Sequence, residues 1–483
     1  MRLFNKYKAL SLPAKAGIWF VLVNFFTKGI SFITVPIFTR YLSTEEYGKV
    51  GIFMTYQGIL INFATFEMYS GAYIRGILRY KDDIGFFTCS EQLLSTLITL
   101  AVFLISIPIM PWFIINAQIN PTIYLLMYGY FLFFPAYECW VGRKRFEYNY
   151  RPVVLSAVFY SLASTLIPLL AVIKIEATAA VRLQYMLIPQ ILFCLPFYLR
   201  HANIGRLAGQ GDRVLEQWRF LLAFQAPSVV HALSYIILAS VDRIMIGRMV
   251  GNSQAGIYTV ATTIANVITI LSISANQVLK PWRYQRMEAG GYRAIRDNSR
   301  YLLIAFGAAI AMWILVAPDI MRLLFRPEYH EAVWIVPPVS MSVFFIFLYS
   351  MFVDIEEYFY RTKYTMYATT ISAVANIVLN YFGIRLFGYI ACAYTTLICY
   401  VLLAALHLYW SNKTVREHGM GIDRIFDVRF ICVLSVLLLA TETVVTLTYD
   451  NAFVRYGLVL AVVIVGLSNI GRIKTVVRTI RNL

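Results

Sequence analysis

Apolar runs of 18 or more residues recur along the whole of this 483-residue chain. Runs of that length have one common solution, a helix that crosses a lipid bilayer, because only a helix satisfies its own backbone hydrogen bonds there. Composition agrees: 60% of residues are hydrophobic and 14% charged, against about 25% charged in soluble domains. About fourteen spans are expected, near 16–39, 50–71, 88–112, 121–142, 152–173, 179–199, 219–247, 254–279, 301–318, 332–353, 366–386, 388–410, 429–449 and 453–471. The fold class is therefore an all-α polytopic membrane protein. The first run, after a basic start, is too long for a signal-peptide core and reads as an uncleaved span.

The formal charge of +17 invites a nucleic-acid reading, but its distribution supplies another. Between alternate spans, 31 Lys and Arg fall on the side of both termini and ten on the other, with Lys28 alone in mid-span. That bias places both termini and the even-numbered loops in the cytoplasm, and no nucleic-acid partner is expected. The six cysteines lie in or at the ends of apolar runs and form no CxxC pair, which fits lipid-facing or packed thiols rather than disulfides or metal ligands. No phosphate loop, zinc-type HxxxH or acidic pair on an aqueous loop is present, so neither an enzyme nor a metal or other cofactor is expected.

The chain also repeats itself. Arg40-Tyr41-Leu42-Ser43-Thr44-Glu45-Glu46-Tyr47-Gly48 returns in outline 208 residues later as Arg248 to Gly256. Arg75 and Arg283 share that offset, and Arg143-Lys144-Arg145 returns at 218 as Arg361-Thr362-Lys363. Six spans separate the copies, so they face the same way: two parallel six-helix repeats, plus two C-terminal helices. The expected division is 1–200, 201–412 and 413–483.

Polar residues inside spans are costly and point to function. Lys28 lies about twelve residues into its span, roughly 18 Å deep, and Asn24, Thr27, Lys28 and Ser31 form one helical stripe. The stripe reads as a cavity wall with Lys28 facing a phosphate, or Lys28 pairs with Glu67 or snorkels. In the seventh span Gln225, Ser228, His231 and Tyr235 share a face, with Asp242 further along. His231 reads as an anion contact or proton carrier, or as a helix–helix hydrogen bond. Glu67, His231 and Asp242 are the candidates for coupling to a proton gradient, a Na⁺ gradient or the membrane potential, although Glu67 serves equally as a counter-charge for Lys28 or Arg75. Arg75 at a cytoplasmic mouth reads as an anion contact or as topology-setting charge. Asn266, on a Thr-rich face of the eighth span, reads as a sugar contact or a helix–helix contact.

Three motifs, taken together, resemble a known family. They are Ile33-Thr34-Val35-Pro36-Ile37-Phe38-Thr39-Arg40-Tyr41-Leu42 with Gly48; Asp242-Arg243-Ile244-Met245-Ile246-Gly247 with Gly256-Ile257-Tyr258; and Asn376-Ile377-Val378-Leu379-Asn380 with Gly388 and Ala391. In order and spacing they are similar to those of Wzx-type polysaccharide flippases of the multidrug/oligosaccharidyl-lipid/polysaccharide (MOP) exporter superfamily. The resemblance implies two six-helix lobes around a cavity and alternating access to the two leaflets. It implies a cargo of undecaprenyl-pyrophosphate-linked oligosaccharide for O-antigen, capsule or exopolysaccharide synthesis. It also implies a bacterial cytoplasmic membrane, membrane lipids as surroundings, and polysaccharide polymerase and chain-length machinery as partners. A lipid II flippase or a cation-coupled multidrug exporter of the same superfamily is the alternative, and a membrane polymerase or ligase is disfavoured by the short outer loops.

Overall fold

The computed structural model describes residues 11–468. Among these, all regular structure is helical. In the first half, α1 spans Leu12–Tyr41, α2 Thr44–Thr65, α3 Gly71–Arg79, α4 Ile84–Ser106, α5 Met110–Ala117, α6 Pro121–Phe146, α7 Tyr150–Lys174, α8 Ala179–His201 and α9 Gly211–Met249. Then follow α10 Asn252–Ala265, α11 Thr269–Glu288, α12 Tyr292–Leu324, α13 Val336–Tyr358, α14 Thr362–Phe387, α15 Ala391–Glu417, α16 Val428–Leu447 and α17 Ala452–Ser468.

Among the described residues, eleven helical stretches are long and apolar enough to cross a membrane. The remaining three expected spans correspond to α2, α6 and α17. α2 and α6 have 22 and 26 residues; their many Tyr and polar side chains lower the hydropathy, because they face protein. α17 has 17 residues.

Helix starts follow local chemistry. Ser43 caps α2 by accepting from the Glu46 amide at 3.2 Å, and Glu45 and Glu46 occupy the first turn, where negative charge complements the helix dipole. Asn120 caps α6 ahead of Pro121, whose missing N–H costs nothing there. Asp83, Thr178 and Asp427 cap α4, α8 and α16 in the same way.

The chain forms two compact units, Met1–Gly256 and Ile257–Leu483. In the first unit α6 packs on α8, α8 on α7, α7 on α1, and α9 on α2 and α4. Its core is aromatic, with Phe53, Tyr124 and Phe131 fully enclosed. Leu155 and Leu199 are about 70% and 67% exposed, as lipid-facing side chains are. Lipid tails are as apolar as these rings, so close packing rather than exclusion of water holds the helices together. In the second unit α13 packs on α15, α15 on α14, and α12 on α16 and α17. Thr259, Thr262 and Thr263 turn partly inward, with Thr262 and Thr263 bonding back to the Thr259 carbonyl.

The repeated turns meet. Both belong to the first unit. Thr44 and Ser253 share a hydroxyl–hydroxyl hydrogen bond. A Cβ on Gly48 would overlap the Asn252 carbonyl oxygen, and one on Gly256 would overlap that of Thr44. The ninth residue of each turn is glycine because the two backbones cross in contact there.

One feature was not expected. The second span is broken: α2 ends at Thr65, Phe66 and Glu67 take left-handed conformations (φ 51° and 45°), and α3 begins at Gly71. Left-handed backbone costs about 1–2 kcal/mol per non-glycine residue, so surrounding contacts must hold it.

Candidate functional site

The polar stripe of α1 lines a cavity of about 350 Å³ inside the first unit. Asn24, Thr27 and Lys28 form one wall, and Tyr137, Glu138 and Arg145 of α6 a second. The third is α7, with Tyr160, Ser161, Ser164 and Thr165. Thr27 donates to the Asn24 carbonyl, and the Ser31 side chain lies outside the described residues.

Three charges face this space. Lys28 is exposed and, among the described residues, makes no ion pair. The expected pairing with Glu67 is therefore not formed. Glu67 sits in the left-handed break after α2, and its carboxylate has no cationic partner among the described residues. Helix spacing alone cannot foresee that, because the break sets the direction of Glu67. Arg145 is the second cation. Its neighbours Arg143 and Lys144 are both held by Glu147, at 2.9 and 2.7 Å, whereas Arg145 lies over the Phe20 ring at 5.3 Å. Burial acts to raise Glu147, but Lys144 and then Arg143 outweigh it and hold the carboxyl below its ordinary range. The third charge is Glu138, half-buried and, among the described residues, without a hydrogen-bond partner.

Two cations, one carboxylate, a row of hydroxyls and the stacked rings of Tyr137 and Tyr160, 5.7 Å apart, suit an anionic, hydroxyl-rich ligand. Arginine and lysine bind phosphate oxygens through charge-assisted hydrogen bonds, and aromatic faces bury the apolar faces of sugars.

The other sequence candidates do not line this cavity. His231 is half-buried on α9 and Asp242 is 2% exposed on the same helix. Asn266 is exposed, in a single 3₁₀ turn between α10 and α11, and accepts from Thr269. Arg75 is exposed on α3 and unpaired among the described residues. Its repeat partner Arg283 is enclosed, bonding Asp354 at 2.6 Å and Asn276 at 3.2 Å, which is a structural role. Among the described residues no cluster of His, Cys, Asp or Glu is arranged to hold a metal ion.

Sequence reasoning missed two acids, Glu138 and Glu91. Each is a lone carboxylate inside an apolar run, the same signal that singled out Glu67. Glu91, on α4, is fully buried.

Comparison with known proteins places this geometry. A family model described as "Polysaccharide biosynthesis protein" matches residues 14–287, more than half of the chain, and one described as MatE matches residues 227–382. An uncharacterized membrane protein of Methanocaldococcus jannaschii is 21% identical over 83% of this chain and 84% of its own length. The solved structure of the lipid II flippase MurJ in an inward closed conformation superposes with a TM-score of 0.66 at 14% identity, covering 96% of this chain and 99% of that one. An inward-facing multidrug resistance MATE family transporter of the MOP superfamily gives 0.61 at 13% identity, covering 82% and 98%. With its many apolar helices, this multi-pass membrane protein has the fold of the MOP-superfamily flippases and transporters, and it belongs to the polysaccharide biosynthesis protein family.

Proposed function

We propose that the protein flips an undecaprenyl-pyrophosphate-linked oligosaccharide from the cytoplasmic to the outer leaflet of the bacterial cytoplasmic membrane. Both termini face the cytoplasm, and the protein supplies surface polysaccharide synthesis with its lipid-linked repeat units. The observation that carries it is the cavity with Lys28 and Arg145 beside stacked tyrosines and hydroxyls. The two cations offer a site to a pyrophosphate, and the remainder of the wall offers hydrogen bonds and ring faces to sugars. Work against the lipid gradient draws on a proton or Na⁺ gradient or on the membrane potential. Polymerase and chain-length machinery receive the product.

The multidrug alternative fits less well, because two cations against one carboxylate repel a cationic drug. The lipid II alternative shares the pyrophosphate and differs only in the glycan. Loss of the protein, followed by analysis of membrane lipids, separates them. Accumulation of a completed lipid-linked repeat unit on the inner leaflet is expected, and accumulation of lipid II alone would overturn the glycan assignment. In the same assay Lys28→Ala should lower export about tenfold or more, the worth of one charge-assisted contact, while Lys28→Arg retains most of it. Normal export by Lys28→Ala would remove Lys28 from the site.

A further inference from the structure

Glu91 occupies an unusual position. It is fully buried on α4, inside a membrane span, and its one described partner is the Cys139 thiol, which donates to Oε2 at 3.2 Å. Among the described residues its Oε1 has no partner, and neither does either side-chain polar atom of the adjacent Gln92, either of Gln217 on α9, or the Ser90 hydroxyl. All of these groups are sealed from solvent. The elements packed around α4 bring Tyr56 of α2 and Glu67 in the break after it, Tyr73 (α3), Lys81, Asp82 and Asp83 in the turn before α4, Cys139, Glu138 and Arg143 (α6), Tyr198 and His201 (α8), Arg206 in the following turn, and Arg213 and Glu216 (α9). Tyr73 bonds Thr88, Arg143 bonds Glu147, Arg213 pairs with Asp83 and Glu216 with Arg79. Among the described residues no cation pairs with Glu91. A carboxyl enclosed by protein and paired with no cation favours its neutral form.

The lid over this group is α3, the nine-residue segment beyond the break in the second span. Tyr73 of α3 stacks on Phe87 at 5.7 Å, its hydroxyl bonds Thr88 at 2.8 Å, and Gly76 lies directly against the Phe87 ring. α3 starts without a side-chain cap of its own. Gln225 of α9 supplies one from outside: its Oε1 accepts from the Ala72 amide at 3.2 Å, and its Nε2 donates to Ser70 Oγ at 3.1 Å. Ser70 in turn donates to the Glu67 carbonyl at 2.8 Å, within the left-handed break. One side chain on α9 thus holds both the strained turn and the start of the lid. Two consecutive left-handed residues, held by a few hydrogen bonds, form a hinge.

We propose that Glu91 is a proton-binding site gated by α3, with Gln225 as the clasp. When Gln225 withdraws, α3 lifts about the Phe66–Glu67 hinge and water reaches Gln92, Gln217 and Glu91. The Glu91 O–H bond then breaks, its proton passes to water, and the carboxylate resists reburial until it is protonated again. No other bond changes. The proposal deepens the transporter reading by assigning a coupling group, but its test needs no cargo.

Cys139 is a built-in reporter, because it is fully buried against Glu91. In full-length protein keeping Cys139 alone, with the other five cysteines replaced, the rate of N-ethylmaleimide labelling reads the opening. Labelling should be slow at acidic pH and should rise with pH more steeply than an exposed thiol. Glu91→Gln, which stays neutral, should reduce that rise to the thiol's own. Gln225→Ala should label roughly tenfold faster at acidic pH, the effect of losing two hydrogen bonds. Infrared difference spectra across the same pH range should show a protonated carboxylic acid that Glu91→Gln lacks. An unchanged pH profile in Glu91→Gln, or an infrared band surviving that substitution, overturns the proton site; parental labelling in Gln225→Ala overturns the clasp. A protein that fails to export oligosaccharide yet gives these results disproves the cargo and not the gate.

Discussion

Glu138 and Glu356 stand 218 residues apart, at the offset that relates Arg143 to Arg361, and their surroundings are opposite. Glu138 opens on a cavity with Lys28 and Arg145 and has no hydrogen-bond partner among the described residues. Glu356 is fully enclosed, with His407 at 2.9 Å and Thr365 at 3.0 Å. The same contrast holds for Arg75 and Arg283, which are 208 apart. Arg75 is exposed, and Arg283 is 2% exposed against Asp354. The reason is visible in one position: Asp354 matches Ala136 at the 218 offset, so the first unit has nothing there to neutralise an arginine. One copy of the repeat keeps its charges available, and the other spends them on its own cohesion.

This contrast is open to attack. The largest effect should come from Arg283→Ala. It leaves buried Asp354 with only Lys280, 3.8 Å away, and should cost about 3 kcal/mol, whereas Arg75→Ala should stay within about 0.5 kcal/mol. Thermal unfolding of the purified protein in detergent measures both, and similar losses would mean the two arginines are equivalent after all. Next in size is Glu356→Gln, which weakens the bonds to His407 and Thr365 and should cost about 1–3 kcal/mol. Glu138→Gln should leave stability nearly unchanged and alter transport instead. If Glu138→Gln destabilises as much as Glu356→Gln, the cavity carboxyl is structural.

The smallest effect sharpens the role of Arg145. Glu147 has a folded value below its unfolded one, so its stabilisation is present above the unfolded value and is lost as pH falls through the folded value. Glu147→Gln should remove that acid-side slope, worth about 0.5 kcal/mol or less for a surface pair. Equilibrium unfolding against pH reads it. The same variant frees Arg143 and Lys144 to compete with Arg145 for an anion.

Much of this was legible in the sequence. Apolar runs located the helices, and the stripe at Asn24, Thr27 and Lys28 does share one face on a cavity, because a helix fixes the angle between residues three and four apart. What failed depends on distances no local pattern encodes. Lys28 and Glu67 lie on neighbouring spans, and whether they meet depends on the break at Phe66–Glu67. That break carries neither proline nor glycine to announce it, and the side chain that stabilises it, Gln225, comes from more than 150 residues away. Glu91 and Glu138 were visible as acids in apolar runs, but their roles divide on burial: one is sealed and one opens on the cavity. The enclosure of Arg283 needed Asp354 from another helix.

The crossing at Gly48 and Gly256 has a consequence for how such a chain can change over time. The atoms that occupy the missing Cβ positions are the carbonyl oxygens of Asn252 and Thr44, which belong to the main chain and are present whatever residues stand there. No change of side chain on one helix can therefore make room for a side chain on the other. Most contacts in a protein can drift in compensating pairs, a larger residue here answered by a smaller one there. This contact cannot, so the last residue of each nine-residue turn stays fixed by its counterpart's backbone, while a pair such as Thr44 and Ser253 can still change together.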